Sequence, residues 1–314
     1  MGALLLKRAI SGLTLVIAIS FLAQLLILPG IDNIARNVLG ELASEEQVAQ
    51  KATELGLDRP FFVRYADWIW GAVQGDFGTS FYSTQSVTAA IASRLPVTLS
   101  LVILVTVLTA LIAFALGITA AVNRGWIDRL LQVLVTVADA LPAFVIALFL
   151  ATVFAVQLHW FPATGYVPLT ESPLGWLASL VLPVAAMTIS GVVGVAQHVR
   201  SSAITVLRSD YLRTRRSRGL PTRYILATTV LRNSATPGLA ALAVQVVGLL
   251  GASVVIEMVF ALPGLGSLAV QAALRSDIPV ILGVLMTYVV IVVVVNLLVD
   301  LLIAWVNPKV RLRA

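Results

Sequence analysis

The chain has 314 residues, of which 59% are hydrophobic and 11% charged, and its formal net charge is +6. A soluble domain is about half apolar and about a quarter charged, so this composition indicates an integral membrane protein. The basic residues lie mainly in short segments between apolar stretches, which favours a role in membrane orientation over nucleic-acid binding. The absence of cysteine excludes disulfides, thiolate metal sites and cysteine nucleophiles.

Six apolar stretches are long enough to cross the ~30 Å hydrocarbon core of a bilayer as helices, so we predict an all-α fold. They are residues 9–29, 97–121, 131–157, 176–197, 238–261 and 280–306. Pro142 interrupts the third and Pro183 the fourth, which membrane helices tolerate when neighbouring groups satisfy the freed carbonyls. No small-x-small cleavage pattern follows Pro29-Gly30, so we expect the first stretch to be a retained helix rather than a signal peptide.

Charge placement predicts the orientation of these spans. With the N-terminus in the cytoplasm, 15 of the 21 lysines and arginines fall on the inner side, and ten acidic residues fall on the outer side. The positive-inside rule then places both termini in the cytoplasm. The resulting regions are an N-terminal end with the first helix (1–29), an extracytoplasmic loop (30–96), a five-helix core (97–306) and a cytoplasmic tail (307–314).

The long loop after the first span carries its own folding signals. Ser44-Glu45-Glu46-Gln47 is a capping box, which predicts a polar helix to about Leu55, with Gly56 just beyond its end. We therefore expect a small folded cap. Its later signals predict a helix opened by Pro60 and running from Phe61 to Val73, a turn from Gly75 to Ser80, and a short amphipathic stretch from Val87 to Arg94.

Aromatic side chains are concentrated in the second helix of this cap. They are Phe61, Phe62, Tyr65, Trp68 and Trp70. We expect them to seat the cap on the lipid interface or on another subunit. The alternative is that they line a surface for a peptide.

The motifs of several enzyme classes are missing. None of the three lysines follows a glycine, so no Walker-type phosphate cradle forms and ATP is not bound in that way. The only histidines, His159 and His198, do not form the pair of a zinc protease. Gly251-Ala252-Ser253 resembles the serine motif of intramembrane proteases, but no histidine follows it to act as base. We therefore predict a chain that is not an enzyme, with no catalytic, cofactor-binding or metal-binding residues.

Three carboxylates fall inside predicted spans, where ionisable groups are functional candidates. Glu257 and Asp300 lie near opposite interfaces, where solvation is cheap, so we expect structural or gating roles for them. Asp300 shares a helix face with Asn296. For Asp139, two turns into the third span, the sequence favours neither a structural role nor a role in ion transport. A proton-coupled carrier would use Asp139 together with Glu257.

The most basic connection between spans contains eight arginines and a single acidic residue. The arginines are Arg200, Arg208, Arg213, Arg215, Arg216, Arg218, Arg223 and Arg232. Asp210 lies near the start of a predicted helix from Tyr211 to Arg218, where its charge suits the helix dipole. Gly219 ends that helix, and Pro221 begins a second that runs to about Arg232. This hairpin fits protein docking, and the alternative is an element held on anionic headgroups.

This hairpin carries a family resemblance. The run Asp210-Tyr211-Leu212-Arg213-Thr214-Arg215-Arg216-Ser217-Arg218-Gly219-Leu220, followed by Leu231-Arg232-Asn233 and Pro237, resembles the EAA loop of ATP-binding-cassette (ABC) import permeases. Four further stretches resemble the first permease subunit of the dipeptide/oligopeptide/nickel family. They are Gly75 to Ser80, Ile256 to Phe260 with Pro263 to Gly266, Arg275 to Pro279, and the C-terminal Asn296 to Asp300 with Asn307 to Arg311. The generic motif begins Glu-Ala-Ala, whereas this chain has Arg213, Thr214 and Arg215.

The resemblance implies a type I importer permease fold in a prokaryotic plasma membrane. It also implies several partners: a second homologous permease, two ABC ATPases that bind the ATP and Mg, an extracytoplasmic binding protein, a di- or oligopeptide cargo and membrane lipid, with no nucleic acid. It implies that the ATPase-coupling contact is made by Asp210, Arg213, Thr214, Arg215, Arg218, Gly219 and Leu220 within the hairpin 200–236. The open alternatives are nickel or another small solute as cargo, and a proton-coupled secondary transporter.

Overall fold

The protein is helical throughout the part of the chain that the structure describes. The computed structural model describes residues 2–27, 31–40, 42–83, 85–123 and 125–307. Those ranges contain no strand and one isolated bridge, between Thr79 and Ser86. Two compact units are present. The large unit comprises the described residues within 1–5, 99–262 and 294–314, and the small unit those within 6–98 and 263–293.

Thirteen α-helices and two π-helical segments make up these described ranges. The helices are α1 (Gly2–Ile27), α2 (Ile31–Leu39), α3 (Glu45–Glu54), α4 (Phe61–Val73), α5 (Val87–Val122), α6 (Trp126–Ala140), α7 (Ala143–Leu150), α8 (Pro173–Leu207), α9 (Asp210–Ser217), α10 (Thr222–Ile225), α11 (Leu231–Val259), α12 (Leu265–Arg275) and α13 (Ile278–Val306). The π-helical segments, Ala151–Gln157 and Leu226–Val230, continue α7 and α10.

Four helical runs in the described residues are long and apolar enough to cross a membrane. They are Val87–Val122, Pro173–Leu207, Thr222–Val259 and Ile278–Val306. A sharply bent pair, Asp128–Ala138 with Ala143–Gln157, gives a fifth if it is counted as one span, and Ile10–Leu26 is a shorter apolar helix. The bend lies at Leu141-Pro142, as the interruption at Pro142 predicted.

Two predicted helix boundaries are absent. The stretch from Val87 to Arg94 is not a separate element, because α5 runs unbroken through Pro96. The second arm of the basic hairpin does not end at Arg232, because one continuous helical run extends from Thr222 to Val259. Both predictions relied on local signals, whereas a helix continues through such positions when neighbouring groups satisfy its backbone.

The large unit is built on close packing of α8 against α11 and α5. Its central cluster of buried side chains is Ala113, Val195, Ala196, Val199 and Leu242. A methyl group at Gly117 of α5 would lie 2.7 Å from the carbonyl oxygen of Ala196. Glycine is therefore required where these two helices approach.

Two polar pairs join α6 to α8 inside this apolar unit. Arg200 donates two hydrogen bonds to the carboxylate of Asp128, at 2.5 and 2.8 Å. One turn away on α8, Gln197 Nε2 donates to Gln132 Oε1 at 2.9 Å. Each polar group therefore meets a complementary one, as burial demands.

The small unit confirms the predicted cap signals. Ser44 and Gln47 exchange the reciprocal bonds of a capping box at the start of α3. Gly56 follows the end of that helix with a φ of +67°. The helix α4 has the predicted bounds, Phe61–Val73, and Pro60 is its N-cap residue rather than at a first helical position.

Aromatic packing fixes α4 on α1 within the small unit. The rings of Phe61 and Tyr65 each meet Phe21 edge-on, with centroids 5.4 Å apart. The Tyr65 hydroxyl lies 3.0 Å from Ser20 Oγ. Phe62, by contrast, is 73% exposed. The aromatic helix is thus anchored within the chain on one face only.

Asp277 ties the glycine-rich turn to the start of α13. It is buried, and it accepts hydrogen bonds from Ser80 Oγ and from the backbone N–H of Phe81. Burial raises the pKa of the Tyr82 phenol, the Asp277 carboxylate adds to the rise, and Arg275 opposes it. The phenol therefore stays neutral at physiological pH.

Replacing Asp277 should loosen this turn. Asp277→Ala removes the acceptor of two hydrogen bonds, so we expect a loss of about 1–3 kcal/mol in local stability. The measurement is the rate of protease cleavage within residues 75–86 of the purified protein. Asp277→Asn keeps one carbonyl acceptor and should show a smaller increase in cleavage. An unchanged rate for Asp277→Ala would contradict this assignment.

Candidate functional site

The basic hairpin begins where α8 ends. Arg208 is the C-cap residue of α8, and Ser209 has the extended backbone of an N-cap (φ −70°, ψ 145°). Asp210 lies in the first turn of α9 and Arg215 and Arg216 in its last turn, an arrangement that suits the helix dipole. The sequence prediction of this arm is confirmed to within one residue.

A glycine elbow joins the two arms. Gly219 has a φ of +74°, and its N–H donates to the Arg216 carbonyl at 2.9 Å. Side chains other than glycine rarely adopt this conformation. Pro221 follows as the N-cap residue of α10, so its missing N–H leaves no helical hydrogen bond unmade.

A shared apolar core holds the hairpin on the ends of two long helices. The fully buried side chains of this cluster are Ala121 of α5, Ala203 of α8, Leu212 of α9, Ile225 of α10 and Val230 of the π-helical segment. Leu220 packs on the same cluster. The hairpin is therefore packed against the ends of α5 and α8 and against the π-helical segment that leads into α11.

The predicted coupling residues divide by where their side chains lie. Asp210 and Arg213 form an exposed ion pair at 3.4 Å, which contributes little to stability. Thr214 donates to the Asp210 carbonyl on the same exposed helix. Arg218 is the C-cap residue of α9 and is exposed. These four residues supply the outer surface of the hairpin.

Arg215 differs because it bridges the two arms. Its Nη1 donates to Thr229 Oγ1 at 2.8 Å, and Thr229 is 3% exposed. The bond joins residues that are 14 positions apart. Sequence reasoning missed Thr229, since no local pattern marks a contact across the elbow.

Arginines also surround a groove beside the hairpin. Its volume is about 570 Å³, and Arg208, Arg213 and Arg216 line it together with apolar residues that include Leu207 and Leu226. Positive charge over an apolar floor complements an acidic, amphipathic surface.

The three intramembrane carboxylates lie on three different helices. Asp139 belongs to α6 by its backbone, and its side chain lies outside what the structure describes. Asp300 is half-buried on α13. Glu257 is fully buried on α11, so the expectation that it is cheaply solvated at a helix end is wrong. Tertiary packing covers it, although its position in the sequence suggested exposure.

Two family profiles match the chain. The family described as binding-protein-dependent transport system inner membrane component matches residues 113–312. The corresponding N-terminal membrane component family matches residues 1–102.

Individual relatives align over almost the whole chain. A Brucella abortus (strain 2308) protein, whose name assigns it to a peptide transport system as permease, is 39% identical over 314 residues, covering 99% of each chain. The glutathione transport system permease protein GsiC of Salmonella typhimurium (strain LT2) is 36% identical over 310 residues, covering 98% of each. The chain therefore belongs to the binding-protein-dependent transport system inner membrane component family, the membrane permeases of ABC importers, which are transport components rather than enzymes.

Proposed function

We propose that this chain is one of two permease subunits in an ATP-driven importer of di- and oligopeptides. The observation that carries the proposal is the arginine-rich hairpin, because its base is packed into the helix ends while its charged face stays open. The names of similar permeases support the cargo class, since they refer to peptide transport and to glutathione, itself a tripeptide.

The proposed topology has six spans with both termini in the cytoplasm. The bent pair of α6 with α7 supplies the third span, and α1 supplies the first. Residues 30–96 then form an extracytoplasmic cap that helps to dock a substrate-binding protein. The excess of lysine and arginine on the inner side supports this orientation.

The proposed mechanism is two-state gating driven by a partner. Two ATPases bind ATP and Mg, and each receives the hairpin of one permease in a groove. Closure of the ATPases moves α9, and the packed core at its base carries that motion into α5, α8 and α11. Partner binding thus biases the permease between inward-facing and outward-facing states.

A proton-coupled carrier is the second candidate, and the burial of Glu257 is the observation that favours it. Nickel or another small solute is the alternative cargo for the ABC machine. The described residues contain no group of three His, Asp or Glu side chains that could hold a metal ion, which favours peptides.

Energy supply separates the two mechanisms. In proteoliposomes that contain the permease pair, the ATPases and the binding protein, peptide uptake should require internal ATP and persist after an uncoupler collapses the proton gradient. Nickel uptake in the same vesicles tests the alternative cargo. Peptide uptake that continues without ATP but stops with the uncoupler would overturn the proposal.

The elbow glycine should be needed for coupling. Gly219→Val forces a β-branched residue into a left-handed conformation at a cost of roughly 1–3 kcal/mol, so the hairpin should change shape. We expect a large loss of transport and of ATPase stimulation by the loaded binding protein. Gly219→Asn is the matched control, because asparagine tolerates this conformation and should retain most of both activities. Equal transport by the valine variant and the wild type would contradict the role.

The exposed charge of Arg218 and the Arg215–Thr229 hydrogen bond should have separable effects, the first on ATPase attachment and the second on hairpin stability. Arg218→Glu reverses a charge on the docking face, so the fraction of ATPase that co-purifies with the permease should fall on the order of tenfold. Thr229→Val removes the partner of Arg215 but leaves the outer charges in place, so co-purification should persist while the hairpin becomes more protease-sensitive. Unchanged attachment of the ATPases to Arg218→Glu would contradict the docking assignment.

A further inference from the structure

A second groove, between α8 and α11 of the large unit, is lined in part by polar side chains. Its volume is about 600 Å³, and its polar side chains are Ser190, His198 and Gln245. The groove between α5 and α8, by comparison, is lined by aliphatic side chains apart from Thr188. The α8–α11 groove therefore offers hydrogen bonds at a depth where lipid offers none.

Gln245 occupies the middle of α11, 14 residues from Leu231 and 14 from Val259. Both polar atoms of its amide, Nε2 and Oε1, are buried and have no hydrogen-bond partner among the described residues. Leaving such a group unsatisfied costs about 1–3 kcal/mol. The amides of Gln132 and Gln197 show the contrasting case, because they bond to each other.

The space for this amide is built by the facing helix. A methyl group at Gly191 of α8 would collide with Gln245 Nε2. The amide therefore rests directly on the α8 backbone beside the groove. Rotation about the terminal torsion of glutamine is soft, so the amide can turn toward the groove without a change of backbone.

We infer that Gln245 binds a backbone amide of the peptide cargo as it passes this groove. The inference rests on the proposed function and names a residue that contacts cargo. A primary amide presents one acceptor and two donors, which complement the N–H and the C=O of a peptide unit. Recognition through the backbone does not depend on the side chains of the cargo, so it suits a pathway for peptides of varied sequence. Transporter substrate sites near the middle of the membrane follow the same logic.

The test measures peptide moved per ATP hydrolysed in proteoliposomes, with the binding protein saturated by peptide. Gln245→Leu should assemble with its partners and hydrolyse ATP normally, but should move on the order of three- to tenfold less peptide per ATP, the loss expected for one or two hydrogen bonds. Gln271→Leu makes the same chemical change at an exposed site on α12 and should match the wild type.

A modified cargo separates contact from packing. A depsipeptide, in which an ester replaces the central peptide bond, has no N–H there and should move less efficiently than the peptide in the wild type. Gln245→Leu should lose that discrimination. Gly191→Ala should mimic Gln245→Leu, because the added methyl displaces the amide.

Three further results would each overturn the cargo contact, and one of them would also overturn the proposed function. If the wild type imports peptide with ATP and Gln245→Leu moves as much peptide per ATP, the cargo contact is overturned and the proposed function stands. Loss of the second permease from Gln245→Leu complexes would also overturn it, since Gln245 would then serve the contact between subunits. A wild-type complex that hydrolyses ATP and moves no peptide would overturn the proposed function and this inference together.

Discussion

The burial of Leu212 is the interaction on which the rest of the site depends. This side chain anchors a short, highly charged helix that has little intrinsic stability of its own. It packs with Ile225 and Val230 from the other arm and with Ala121 and Ala203 from two long helices. A hairpin attached through a flexible loop could move without displacing the long helices. In the proposed mechanism, a hairpin with this core would pass the motion of a partner on to the long helices, because packed interiors have low compressibility.

The polar side chains that join α6 to α8 are paired with one another. The Arg200–Asp128 and Gln197–Gln132 pairs hold α6 against α8 near the hairpin, and each charge or amide is matched. Satisfied pairs of this kind rigidify a structure, whereas a partly satisfied group is costly. Gln245 of α11 differs, because both polar atoms of its amide are buried without a hydrogen-bond partner among the described residues, and it lines the groove between α8 and α11. This contrast supports separate roles. The hydrogen-bonded pairs position helices, and the amide of Gln245 is available for the proposed contact with cargo.

Features that depend on neighbouring residues were predicted from the sequence, whereas contacts between residues far apart in the sequence were not. The capping box at Ser44 and the elbow at Gly219 were predicted because cap and turn signals act within a few residues. The union of the Val87–Arg94 stretch with the second span in one helix, α5, was not predicted, because it depends on what neighbouring helices provide. Burial of Glu257 and the Arg215–Thr229 bond were missed for a related reason: each depends on residues brought together by the fold. The hairpin motif is set by neighbouring residues, whereas the environment of a single carboxylate such as Glu257 is set by tertiary packing.

The π-helical segment at Leu226–Val230 places a local irregularity where the second arm enters α11. Such segments are rare and are found frequently at functional sites. Here two contacts hold the C-terminal end of the irregular stretch. Thr229 receives the hydrogen bond from Arg215, and Val230 is fully buried in the hairpin core. A displacement of α9 in the proposed mechanism would thus reach α11 through a polar bond and an apolar contact at adjacent residues. Since Gln245 lies on the same continuous run, about four turns further along, motion at the hairpin and exposure of the groove amide would be linked by one helix.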